Sequence, residues 1–128
     1  MLNEGLSTAV KDFLREYIHS VEQIEILALV SSAPEREWTV SAIDMALRSN
    51  EQSIRSRLAG FIRAGLLIEM ENAKGAYRYE PKNLQLAAAV TETIQAYRVR
   101  PVLVIETIFK PDGNSAQSFA DAFRFRPQ

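Results

Sequence analysis

The side chains with the most chemical content fall between positions 51 and 78. Glu51, Gln52, Ser53, Arg55, Ser56 and Arg63 alternate with apolar residues that keep helical spacing. Near the start of a helix, Arg can pair with guanine, Gln with adenine, and Glu51 can accept from cytosine while repelling phosphate. Lys74 lies in a turn and Arg78 in the strand-like run that follows, and both are suited to phosphate. The plainer alternatives are a solvated helix face for the first group and an ordinary hairpin for the second.

Catalytic chemistry finds little to work with. The 128 residues include no cysteine and one histidine, which removes thiolate nucleophiles, disulfides and the usual zinc finger. There is no Gly-rich phosphate loop, no cluster with metal-ligand spacing and no carboxylate pair set apart from ordinary surface charge. His19 ends an amphipathic segment, where helix capping accounts for it. The expectation is therefore no enzyme, no cofactor and no metal.

The polar residues at 51–63 need a helix to present them. Ser41 is placed to cap a short helix carrying Ile43, Ala46 and Leu47, and Arg48-Ser49-Asn50 breaks it. Ser49 with Gln52 forms a capping-box pattern for the next helix, whose Ile54, Leu58, Phe61 and Ile62 make one apolar stripe. Gly65 is expected to end that helix with a positive φ. The period then drops to two: Leu66, Ile68 and Met70 on one face, Leu67, Glu69 and Glu71 on the other. Asn72-Ala73-Lys74-Gly75 turns the chain and Ala76–Tyr79 returns as a strand.

This order of helix, turn, helix and hairpin resembles the winged helix-turn-helix domains of bacterial transcription regulators, in the style of the MarR and GntR groups. The resemblance is carried by Ile54…Leu58…Phe61…Gly65-Leu66-Leu67, which is similar to a recognition helix running into the first wing strand. It implies double-stranded DNA as partner, with Gln52, Ser53, Arg55, Ser56 and Arg63 on the reading helix and Lys74 and Arg78 on the wing. Gly60 departs from the family pattern, which normally has a good helix former there; its missing side chain would allow close packing or mark relaxed selection.

The flanks extend this unit. Residues 7–19 have Val10, Phe13, Leu14, Tyr17 and Ile18 on one helical face. Ser20 and Gln23 form another capping box, opening a helix that is apolar nearly all round from Ile24 to Val30, which implies burial. Trp38-Thr39-Val40 is short strand material. After the hairpin, Pro81 and Asn83 open a helix with Leu84, Ala87, Ala88, Val90, Ile94 and Tyr97, and the phase continues through Val102, Ile105, Ile108 and Phe109. Pro101 divides it into two helices or one sharply kinked helix, with a strand at 102–105 as the rival. Ser115 could cap a last helix aligning Ala116, Phe119, Ala120 and Phe123.

The length suits a single domain over 1–128, with a winged-helix core at 20–80 and a C-terminal helical extension at 82–128. The fold class is mainly α with a small antiparallel hairpin. The C-terminal stripe resembles the dimerisation helices of MarR- and PadR-like regulators, which points to a homodimer through Leu84, Ile94, Ile105 and Phe109; folding back on the chain's own core is the alternative. Tyr97, Arg98 and Arg100 could border a ligand pocket. The tail residues Phe119, Phe123, Arg124, Phe125 and Arg126 suit docking on the parent core or anchoring to a protein partner.

The net charge of −1 argues against the DNA reading, since phosphate neutralisation usually calls for a basic domain. Residues 1–38 hold three Lys/Arg against seven Asp/Glu, residues 39–80 six against five, and residues 81–128 six against four. A basic surface must come from arrangement, and a winged-helix protein-interaction module without DNA binding is the alternative function. No run of residues approaches a membrane span and no secretory pattern is present, so the expected location is cytoplasmic.

Overall fold

Residues 5–110 are described by the computed structural model, and the tail expected around Ser115–Arg126 lies outside them. The chain begins with α1, Thr8–Tyr17, started by the Ser7 hydroxyl accepting from the Val10 N–H at 3.2 Å. Its inward face is Val10, Phe13 and Leu14, with Ile18 completing the row. Ser20 caps α2, Val21–Ser32, by accepting from the Gln23 N–H at 3.1 Å. Gln23 reaches back as a capping box requires, but its oxygen takes the N–H of His19, one residue early, at 2.6 Å. Ile24, Ile26, Leu27 and Val30 are all buried, making α2 the central helix.

β1 is Trp38–Thr39, and α3, Val40–Leu47, follows without a loop. The cap of α3 is Thr39, whose hydroxyl accepts from the Ala42 N–H at 3.0 Å, and not Ser41 as expected. The strand leaves Thr39 extended, at φ −96° and ψ 161°, which is the backbone an N-cap needs. Arg48 closes α3 in the left-handed region, at φ 59° and ψ 47°, and so makes the break tight.

α4 spans Glu51–Arg63 and buries Ile54, Leu58 and Phe61. Here too the expected cap is displaced: Asn50, not Ser49, accepts from the Ser53 N–H, at 2.8 Å. Gly65 ends the helix at φ +82° in a Schellman arrangement, with Leu66 N–H bonded to Phe61 O at 2.9 Å and Gly65 N–H to Ile62 O at 3.0 Å.

β2, Leu67–Glu69, and β3, Ala76–Tyr79, form the hairpin, and β1 adds to the other side of β3 to give the antiparallel order β1-β3-β2. Trp38 pairs with Tyr77, and Leu67 with Tyr79. The expected alternation of faces fails where the hairpin begins. Leu66 and Leu67 are both buried, because Leu66 still belongs to the helix-ending turn, its N–H bonded to Phe61 O, and β2 begins only at Leu67.

Asn83 caps α5, Leu84–Val99, through the Leu86 N–H at 2.8 Å. Arg100 breaks the helical path at φ −135° and ψ 65°, and α6, Pro101–Phe109, starts on the proline, whose missing N–H costs nothing at a first helical position. The strand alternative at 102–105 is thereby excluded. α5 packs on α1, α2 and α6, so Val90, Ile94, Val104 and Ile108 join Phe13, Leu14, Ile26 and Leu58 in one continuous core.

Candidate nucleic-acid interface

The turn at Arg48 and the Asn50 cap set α4 across the end of α3, and the buried Ile54–Leu58–Phe61 stripe fixes which face looks out. Gln52, Ser56 and Arg63 are exposed on that outer face, and Arg55 is exposed on its flank. Arg55 makes an exposed pair with Glu51 one turn back, Nη2 to Oε1 at 3.5 Å, a weak contact of the kind worth only about 0.3–0.5 kcal/mol. Among the described residues Arg63 makes no ion pair.

Ser53 does not belong with this face. Its hydroxyl turns inward to the carboxylate of Glu22 on α2, and the Ser49 hydroxyl bonds to the same carboxylate. Arg57, one turn beyond Ser53, adds its Nε to Glu22 Oε1 at 3.0 Å. Burial works against charge on Glu22, but the two hydroxyls and the guanidinium outweigh it and hold the carboxyl below its ordinary value. Neither Glu22 nor Arg57 stands out in the sequence, since the partners lie 35 residues apart and each looks like ordinary helix-surface charge.

The wing is modest. Lys74 is exposed in the loop between β2 and β3 and makes no ion pair among the described residues. The loop is closed by Met70 N–H to Ala76 O at 2.8 Å and by Gly75 N–H to the Glu69 carboxylate at 3.0 Å. Arg78 is engaged within its own strand end, Nη2 to Glu80 Oε1 at 2.6 Å. Lys74 is thus the wing cation with its charge available, while Arg78 is half-buried and neutralised.

Gly60 does not serve close packing: a Cβ there would meet only Arg63 Nη2, at 3.8 Å. His19 closes α1 as expected, its ring Nε2 against Arg15 O at 3.0 Å. Tyr97, Arg98 and Arg100 do not converge on one pocket. Tyr97 donates its hydroxyl to Glu25, while Arg98 and Arg100 line separate open cavities of about 250 and 240 Å³. Among the described residues no group of His, Cys, Asp or Glu is gathered to hold a metal ion, and no helix is long and apolar enough to cross a membrane.

The C-terminal helices leave several large apolar side chains exposed, and Val102, Ile105 and Phe109 share one face of α6. Leu84, Val102 and Phe109 are 88%, 67% and 66% exposed, Val99 joins them, and Ile105 is half-buried. Ile94 departs from the expected interface. It is 4% exposed inside the chain's own core, because α5 turns Leu86, Val90, Thr93 and Ile94 inward and leaves Leu84, at its first position, pointing away.

The solved structure of the reduced form of MarR from E. coli matches this arrangement with a TM-score of 0.50, over 92% of this chain and 86% of that one, at 10% sequence identity. No protein-family model matches the chain, and no curated protein matches it in sequence. The fold is a winged helix-turn-helix with an added N-terminal helix and a C-terminal helical pair.

Proposed function

We propose that the protein is a DNA-binding transcriptional regulator of winged-helix type, acting as a homodimer. The observation that carries the reading is the outer face of α4. Gln52, Ser56 and Arg63 line up on a helix that the core holds by its opposite side, with Arg55 exposed on one flank of that row and Lys74 on the adjoining wing. Such a face can enter a major groove, its N-terminal residues toward base edges and its C-terminal residue toward phosphate. The exposed Leu84, Val102, Ile105 and Phe109 supply an apolar surface for a second copy, which would set two reading helices at a fixed spacing. The test is a fluorescence titration against random duplex and then selected sites, at several salt concentrations. Saturable binding that weakens with salt supports the reading, and no binding to any duplex at low salt overturns it.

One set of observations favours a protein-interaction module instead. Glu51 opens α4, Glu69 precedes the wing loop and Glu71 lies in it, and Glu80 neutralises Arg78, so the available cations are few. If no duplex binds, this reading takes first place.

A further inference from the structure

Glu22 has an unusual amount of positive and donor character directed at it. It stands in the first turn of α2 and gathers the hydroxyls of Ser49 and Ser53 and the guanidinium of Arg57 from the turn before α4 and from α4 itself. Two hydroxyl bonds are enough to tie the helices mechanically, and a neutral amide could keep both, its oxygen accepting from one hydroxyl and its NH2 donating to the other once that hydroxyl rotates. Among the described residues the charge of the carboxylate is answered by Arg57 alone. That pair is the most sheltered ion pair among the described residues, with side chains 16% and 34% exposed, whereas Arg55 on the opposite flank of α4 is 60% exposed in a loose pair.

Arg57 sits on the flank of α4 turned to α2, beside the outward row of Gln52, Ser56 and Arg63. A cation at the flank of a groove-entering helix is where a backbone phosphate runs, and each phosphate so neutralised adds affinity for any sequence. We propose that Glu22 is an electrostatic brake on the recognition helix: it holds Arg57 against α2, withdraws one cation from phosphate, and so lowers non-specific DNA affinity while fixing the rotation of α4. The inference rests on the DNA reading above and adds to it a positioning residue outside the contact face.

The experiment compares the wild type with Glu22→Gln, which keeps a hydrogen-bonding partner for each hydroxyl, an acceptor for one and a donor for the other, and removes the charge. Binding to random duplex is measured between 50 and 200 mM salt. For Glu22→Gln the slope of log affinity against log salt should steepen by about 0.9, the increment of one further phosphate contact, with affinity at the lowest salt raised by ~3–10-fold. The double variant Glu22→Gln/Arg57→Gln should return to the wild-type slope. The Arg57 Nε–H resonance should stay put when DNA is added to the wild type and move when DNA is added to Glu22→Gln, a signature that a merely structural clamp would not give. A slope unchanged or shallower in folded Glu22→Gln, a gain that survives in the double variant, or a wild-type Arg57 signal that moves with DNA overturns the brake. Should Glu22→Gln fail to fold by circular dichroism, Glu22→Asp, whose shorter carboxylate loosens the pair, takes its place: a steeper salt slope with a moving Arg57 signal supports the brake, and an unchanged slope with a still one overturns it. Absence of binding by both proteins at low salt removes the DNA reading itself, and the brake with it. Wild-type binding with an unaltered variant removes only the brake.

Discussion

The hydroxyl of Tyr97 donates to the carboxylate of Glu25, tying α5 to α2 across 72 residues of chain. This bond couples the C-terminal extension to the central helix of the winged core. Burial, followed by the hydrogen bond and the charge of Glu25, raises the Tyr97 phenol from 10.0 to about 12. A pKa raised by folding means stability that is complete below the unfolded value and lost as pH climbs through the folded one. Stability should therefore decline between pH 10 and about 12. Tyr97→Phe should cost about 1 kcal/mol at neutral pH, a charged hydrogen bond discounted for its partial exposure, and should reduce the alkaline decline. Burial alone holds Tyr79 at about 12 as well, so the informative quantity is the difference between variant and wild type in thermal melts across that range.

Two glycines five positions apart should respond oppositely to alanine. At Gly60 an added Cβ meets only Arg63 Nη2 at 3.8 Å, inside a regular helix, so Gly60→Ala should stabilise by roughly 0.5–1 kcal/mol. At Gly65 the backbone is left-handed at φ +82° and a Cβ would stand 2.4 Å from Lys82 Cδ. Gly65→Ala should destabilise by about 1–2 kcal/mol, with the flexible lysine moving aside and the backbone strain remaining. Chemical denaturation of both variants checks the pair of signs.

These glycines also mark how far the sequence could be read. Gly65 was legible because the helix end is local: a stripe at 54, 58 and 61, then a glycine, then a change of period. The cap of α4 was not, since Ser49 and Asn50 are both good caps and the choice falls to Glu22, which engages the Ser49 hydroxyl from 27 residues away. The same long reach turned Ser53 away from the outer face. On α5, periodicity found an apolar row but misjudged its ends. Leu84 satisfies the spacing yet precedes the packed region, whereas Leu86 and Thr93 are buried because α1, α2 and α6 surround the middle of the helix.

If the proposed homodimer uses the outer faces of α5 and α6, a charge on that surface should separate the copies without unfolding them. Val102 and Phe109 are 67% and 66% exposed in the single chain, so Val102→Asp and Phe109→Asp remove little from its own core. Sedimentation equilibrium at micromolar concentration should give the mass of two chains for the wild type and one for each variant, with unchanged helical circular dichroism. An Ile94→Asp control should instead unfold the protein, since Ile94 lies in the shared core. A wild type that sediments as one chain at those concentrations would defeat the proposal.

If α4 reads DNA as proposed, it makes the sharpest demand, because Arg55 and Arg63 occupy different parts of one helix. Arg55 is one turn from the N-terminal end of α4, the end that enters a groove first, and its pairing with Glu51 is loose enough to yield to a base. Arg63 is the last residue of α4, next to the Schellman turn, where a groove-reading helix is leaving the bases and phosphate is the nearer partner. Arg55→Ala should then cost roughly 1–3 kcal/mol on a selected site and relax preference at one base position. Arg63→Ala and Lys74→Ala should weaken all sequences about equally, each lowering the salt slope by about one. Arg78→Ala should change the slope less than Lys74→Ala, because Glu80 already neutralises its guanidinium at 2.6 Å. Equal losses for Arg55→Ala on selected and random duplex would move that residue from base to phosphate, and the site of sequence reading would then have to be Gln52 and Ser56.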